Sequence, residues 1–476
     1  MDFSRRWFLG GLAALGGEAV LSGCRSDGVL AVSPGTASNE APLLRFGVLS
    51  DVHVRLRSGG RELVASNDAA TLETAFRRFR EAGADAVVIA GDMADSGIAG
   101  ELAAVAEAWY SVFPDDRAPD GRRVERIFVF GNHDWNGPRR GARVYEDEKR
   151  RVAESICTDP AAVWRRLFHE DYASVYSKTV RGFDFIGAHW CVGDCNGKSE
   201  ACHRGLADFY AKRGAALDPS RPFFHVQHPH PRGTVHGTGV WGQDDGESTR
   251  ILSAYPNAVA FSGHSHTPLT DERSIWQGAF TSVGCGSLRY LSSYGEHFGD
   301  CRQGQLVSVY ADRMVFSRRE FIRDVPLADD LVMPLPVADP KPFDFASRKA
   351  AAKAPAFAAG ARLKLSRKTC KVGRGTGKKR VFRACEAYEL VIPPAVGAVR
   401  ADRYRIAIRD AAGRDVVEPA VVAAAGYPYP AADERARKPT VYRVACDELP
   451  ASEGLGFEAV PLSCWGVQGR GLKINA

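Results

Sequence analysis

The 476-residue sequence has no long unbroken apolar run. Its one weakly apolar N-terminal stretch, rich in Gly and Ala, is short for a membrane span and carries Glu18, so no spanning helix is read there. It has no stripe of interleaved aromatic and basic residues, and a net charge of +6 is mild for this length. Nucleic acid is therefore not an expected partner. No internal repeat is present, which sets aside solenoids and arrays. What remains is ordinary globular composition, 45% hydrophobic and 25% charged, with room for a large core and two domains.

The first residues do not belong to the fold. Ser4-Arg5-Arg6-Trp7-Phe8-Leu9 is a twin-arginine pattern, and Leu21-Ser22-Gly23-Cys24 resembles a bacterial lipobox. The expectation is export through the twin-arginine translocase, cleavage, and membrane anchoring through lipid on Cys24, on the extracytoplasmic side (periplasm or cell surface). The plainer alternative is a cleaved signal with an unremarkable Cys24. Residues 25–41, rich in Ser, Gly, Pro and Ala, read as a flexible tether. Removing Cys24 from the odd total of 11 cysteines leaves an even number able to pair in an oxidising compartment. Cys191, Cys195 and Cys202 lie close in sequence, as do Cys370 with Cys385 and Cys446 with Cys464. A zinc site at Cys191, Cys195, Cys202 and His203 is a lesser alternative.

Strand and helix patterns alternate from residue 44 onward. Apolar runs at 44–50, 86–90 and 127–130 read as buried strands, and helices are expected over 67–82 and 98–112. This order predicts a largely parallel α/β sheet. Further strands are expected at 223–227 and 258–262, a hairpin around Arg181-Gly182, and an antiparallel closing edge near 275–283 and 306–316. Residues 139–151 are strongly charged and read as solvated. Residues 325–357, rich in Pro and Ala, read as a linker, and 358–476 as a smaller β-sandwich built of short strands. The basic stretch 364–383 fits a solvated hairpin better than a contact with anionic polymer or lipid.

Five of the apolar runs end in ligand-rich tips: Asp51-Val52-His53, Gly91-Asp92 with Asp95, Gly131-Asn132-His133-Asp134, His228, and Gly263-His264-Ser265-His266. In α/β sheets, ligands gather beyond the carboxyl ends of the strands. Nitrogen and oxygen donors without thiolate suit manganese, zinc or iron. One carboxylate can bridge two cations, and a pair of cations about 3.5–4 Å apart is the recurring device for displacement at phosphorus.

Together these tips, in this order, resemble the signature of the calcineurin-like metallophosphoesterase family, over residues 44–318. The resemblance implies a four-layer α-β-β-α sandwich over 42–324, with a fibronectin-III-like domain after it. It implies two divalent metal ions: Asp51, His53 and His266 hold one, Asn132, His228 and His264 the other, and Asp92 bridges them. His133 would protonate the leaving oxygen or steady the transition state, with Asp95 orienting its ring. Of three nearby histidines, His228 fits the family position better than His225, inside the strand, or His230, beyond a proline. The aspartate at 95 argues against the purple acid phosphatase branch, which places a metal-binding tyrosine there. His189, His203 and His236 are better read as structural; Trp190 and Trp241 either stack on a substrate ring or pack in the core. The implied activity is hydrolysis of a phosphomonoester or phosphodiester substrate by attack of metal-bound hydroxide. The competing reading is a cell-surface binding protein on the same scaffold with little turnover.

Overall fold

The computed structural model describes residues 40–58, 63–65, 67–135, 159–191, 200–201, 203–238, 243–374, 381–397, 399–450 and 454–476. The twin-arginine and lipobox motifs, Cys24, the charged run 139–151, Cys195, Cys202 and Trp241 lie outside them. Residues 42–476 form one compact unit.

Leu44–Leu49 (β1), Asn67–Glu81 (α1), Ala86–Ala90 (β2), Ala99–Val112 (α2) and Glu125–Val129 (β3) alternate as expected. β2, Ala-Val-Val-Ile-Ala, is buried at every position, as a parallel strand covered on both faces must be. Next come Pro160–Phe168 (α3), Val175–Val180 (β4), Phe183–Ala188 (β5), Leu206–Arg213 (α4), Phe223–Val226 (β6), Glu247–Leu252 (α5), Ala258–Ser262 (β7), Ile275–Gln277 (β8) and Thr281–Gly284 (β9). The β4–β5 hairpin turns at Arg181 and Gly182, both at positive φ, which matches the twist of the flanking strands. A small hairpin, Leu291–Ser293 (β10) with Glu296–Phe298 (β11), precedes the long antiparallel strands Gln303–Val309 (β12) and Arg313–Glu320 (β13).

The first sheet has the order β13-β12-β1-β2-β3, parallel from β1 to β3. Two short strands, Val325–Pro326 (β14) and Leu331–Pro334 (β15), add to β13. The second sheet runs β8-β9-β7-β6-β5-β4. Apolar side chains from the inner faces of both sheets, among them Phe46, Val88 and Val307 against Phe185, Phe224 and Phe261, share one core. α1, α2 and α3 cover the outer face of the first sheet through Phe76, Trp109 and Trp164. α4 and α5 cover that of the second through Leu206, Tyr210 and Leu252. Two helical layers thus enclose two sheets.

Part of the stretch read as a linker is built into this core. β15 pairs with β13, and Met333 and Phe343 are buried between the sheets. The prolines that made the stretch look loose sit beside short edge strands, where proline is tolerated.

Beyond a short helix at Phe345–Ala350 (α6), the rest is all β: Lys364–Arg374 (β16), Val381–Ile392 (β17), Arg403–Arg409 (β18), Ala420–Ala423 (β19), Thr440–Ala445 (β20), Gly456–Leu462 (β21) and Leu472–Asn475 (β22). They form two antiparallel sheets, β16-β17-β20 and β19-β18-β21-β22, around Leu390, Ile392, Tyr404, Ile406 and Phe457. Cys370 and Cys385 stand opposite each other in the β16–β17 register; both are free thiols in this structure.

Candidate metal centre

The expected tips all emerge at one end of the two sheets, each immediately after its strand. The loops after β1 and β2 are laced together: Asp51 N–H donates to Gly91 O, His53 N–H to Asp92 O and Val54 N–H to Met93 O. Asp134, fully buried, accepts from Gly131 N (2.7 Å), Ala94 N (2.8 Å) and Met93 N (3.3 Å), and so binds the loop after β3 to the loop after β2. Two glycines are there for close approach. A Cβ on Gly91 would lie 2.4 Å from the His228 ring, and one on Gly131 would lie 2.3 Å from Asp92 Oδ1.

The backbone carries a second signature. Asp51, His53, Asp92, His264 and His266 sit at φ of 53°, 49°, 52°, 70° and 53°. Left-handed conformations are costly for residues with a side chain and gather at functional sites.

Seven side chains converge in two adjoining sets. In the first, His53 Nε2 lies 3.2 Å from His266 Nε2, and His266 Nε2 lies 3.2 Å from Asp51 Oδ1. In the second, His228 Nε2 is 3.1 Å from Asn132 Oδ1, and His264 Nδ1 is 2.9 Å from Asn132 Oδ1 and 3.2 Å from His228 Nε2. Asp92 Oδ2 faces both, at 3.6 Å from His53 Nε2 and 3.2 Å from His228 Nε2. Its other oxygen accepts from His133 N–H at 2.7 Å. Among the described residues, all three groups of carboxylates and histidines with ligand atoms within 4.8 Å of one another fall here.

The donor chemistry fits a cation. His266 Nδ1 donates to Tyr290 O at 2.7 Å and His228 Nδ1 to Ala90 O at 2.8 Å; a carbonyl can only accept, so these nitrogens carry the hydrogen. His53 Nδ1 faces the Asp95 carboxylate at 3.3 Å in the same way. In each neutral ring Nε2 then holds a lone pair, and those lone pairs point at carboxylates and at one another. Burial disfavours the charged form of both His53 and His228, yet the facing carboxylates outweigh it. Asp51 and Asp95 push His53 up to about 10, and Asp92 pushes His228 up to about 9. Burial likewise opposes ionisation of Asp92, but His228 and His133 hold its carboxyl well below the usual range. The same carboxylates and ring nitrogens could hold a metal ion.

His133 stands beside the cage, its side chain 22% exposed. Its Nδ1 donates to the main-chain carbonyl of Asp95 at 2.9 Å. Orientation by Asp95 was expected, but it comes from the backbone. The Asp95 carboxylate lies 3.8 Å from the His133 ring and nearer, at 3.3 Å, to His53.

The remaining candidates divide clearly. His225 is tied inside β6 to Tyr210 and Gln227, and His230 to Ser262 and Ser265, so of the three histidines only His228 faces Asp92. His189 accepts from Phe130 N, and His203 donates to His189 O; both are buried. His236 lies beside Tyr294, its main chain bonded to Arg273 O. Trp190, 9% exposed, packs 6.1 Å from the His264 ring and 6.3 Å from that of His228. Tyr290 went unrecognised in the sequence: its carbonyl orients His266 and its ring lies 4.2 Å from the same histidine. No sequence pattern marks a main-chain acceptor.

Residues 44–268 match the family model of the calcineurin-like phosphoesterases. Three solved structures are similar at low identity. A dimetal phosphatase from Danio rerio is 13% identical, with 61% of this chain and 98% of that one covered and a TM-score of 0.34. A purple acid phosphatase from yellow lupin (Lupinus luteus) is 15% identical, with 61% and 53% covered and a TM-score of 0.41. A phosphoesterase from E. coli is 14% identical, with 60% and 98% covered and a TM-score of 0.27. No curated protein matches the chain. With the five signature tips gathered inside the matched region, residues 44–268 carry a calcineurin-like phosphoesterase domain, that of hydrolases that act on phosphoester bonds.

Proposed function

We propose that the protein hydrolyses a phosphomonoester or phosphodiester at a pair of divalent cations, manganese, zinc or iron. Asp51, His53 and His266 hold one, Asn132, His228 and His264 the other, and Asp92 lies between them. The observation that carries this reading is the Asp92 carboxylate oxygen facing both sets of ring nitrogens, at 3.6 and 3.2 Å. Bound there, two such cations would hold the phosphoryl oxygens and lower the pKa of water toward neutrality. His133 has its Nδ1–H committed to a carbonyl, so Nε2 can give a proton to the leaving oxygen only from the imidazolium form, while the neutral ring can only accept there. The strand order of the C-terminal sheets, first-second-fifth facing fourth-third-sixth-seventh, supports a fibronectin-III-like module. The N-terminal motifs support export by the twin-arginine route and anchoring through Cys24, outside the described residues.

The test is hydrolysis of an aryl phosphate, with metal content measured alongside. Asp92→Asn should lose both metal and rate. His133→Ala should keep its metal and lose roughly 10²–10⁴-fold in rate. An unchanged rate in the Asp92 variant overturns the assignment.

A further inference from the structure

We propose that the C-terminal β region is a positioning element of the first cation set, acting on His266 through the β10–β11 hairpin and Asp402. The proposal rests on the metal reading above and adds a dependence of one cation on a distant part of the chain.

His266 is held on two sides by the segment that leads into the hairpin. Its Nδ1 donates to Tyr290 O, and its own carbonyl accepts from Ser292 N at 2.9 Å. The Tyr290 ring covers it at 31°, and His297 from β11 stacks on Tyr290 at 4.7 Å. A histidine ligand is aimed by the hydrogen bond at its other nitrogen, so the placement of the Tyr290 carbonyl decides where Nε2 points.

On its N-terminal side Tyr290 N donates to Ser287 Oγ at 3.3 Å; on the other side the chain enters a hairpin with three residues per strand, too small to be stable alone. The missing support comes from the C-terminal region. Tyr294, in the hairpin turn, donates to Asp402 Oδ2 at 2.6 Å, and Arg403 donates to the Tyr294 hydroxyl. Phe298 meets Tyr429 edge to face at 6.3 Å; Leu291 and Cys301 share a buried cluster with Tyr429 and Ala436. Just beyond, Gln303 Nε2 donates to Pro428 O at 2.6 Å.

The chain that leaves His266 in the other direction is held from the same side. Thr270 Oγ1 donates to Tyr427 O at 3.0 Å, and Arg273, paired with Asp271, brings Nη2 to 3.6 Å from Asp402 Oδ2. One fully buried carboxylate is therefore joined to both segments that flank His266. The second set has other anchors: His228 is held by the Ala90 carbonyl at the end of β2, the loops of Asn132 and Asp92 by Asp134, and His264, two residues before His266, by its own N–H to Asp51 Oδ2 at 3.0 Å.

The experiment is a calorimetric titration of the metal-free full-length protein with Mn²⁺, compared with Tyr294→Phe, Asp402→Asn and, as a control, Lys473→Ala, an exposed position on β22. The expected result is two ions in the parent protein and in the control. In both junction variants one ion should be weakened about tenfold and the other left unchanged. Tyr294→Phe removes one hydroxyl and keeps the ring, which guards against misfolding at the buried Asp402. Adding His228→Ala to Tyr294→Phe should leave the weakened ion as the one still bound. Two ions of parental affinity in both junction variants, or equal weakening of both ions, would overturn the proposal while leaving the metal reading intact. A parent protein that binds neither Mn²⁺ nor, in a parallel titration, Zn²⁺ or Fe²⁺ would overturn the metal reading as well.

Discussion

Asp95 serves two histidines with different oxygens: its carboxylate faces His53 Nδ1, and its main-chain carbonyl takes the hydrogen of His133 Nδ1. Asp95→Ala removes the first and keeps the second. The variant should bind Mn²⁺ about tenfold more weakly, as loss of a partner to a ligand histidine generally does, while His133 keeps its orientation. Titration calorimetry reads the first effect. At saturating metal, the rate should stay well above that of His133→Ala. At this scale the candidate ligands were legible because each follows an apolar strand directly, and a polar residue at the end of a buried run has few places to go. Which oxygen of Asp95 meets which ring was not legible. That is fixed by the positive φ at His53 and by the loop path from Asp92 to Asp95, and single-residue backbone turns leave no mark on spacing.

At the scale of elements, the least expected is β15. Its Met333 is buried between the two sheets, although the surrounding sequence is rich in proline and alanine. Met333→Ala should lower stability by about 2–5 kcal/mol, the usual loss for a large core side chain, measurable by urea unfolding. An unchanged midpoint would mean that the strand is not part of the folded core in solution. The helices and parallel strands were legible because their periodicity extends over many residues: α1 spans Asn67–Glu81 against an expected 67–82. A four-residue edge strand offers two inward positions at most, too few for alternation to stand out. For the same reason β8 and β9 could be sensed as short strands without their partners being known, and the β10–β11 hairpin was not sensed at all.

At the scale of the whole molecule, sequence order separates an α/β part from an all-β part, and the structure joins them through the contacts around Asp402 and Tyr429. Those contacts lie far apart in sequence and pair residues of ordinary type, so nothing local announces them. Among the described residues no helix is long and apolar enough to cross a membrane. The proposed anchoring rests on Cys24, outside the described residues. Cys24→Ala should move the exported protein from the membrane pellet to the soluble fraction and abolish labelling by a fatty-acid analogue. Persistence in the pellet would point to a different attachment.

The donors of the first set come from both ends of the catalytic part, Asp51 and His53 near its start and His266 near its finish. A nascent polypeptide whose growing end has just passed residue 250 can offer only fragments of either cage. Under the proposed assignment, ion uptake would follow synthesis of the chain well past β7. An in vitro translation reaction supplied with radioactive zinc should incorporate label only into chains that extend past His266 by more than the length held inside the ribosome.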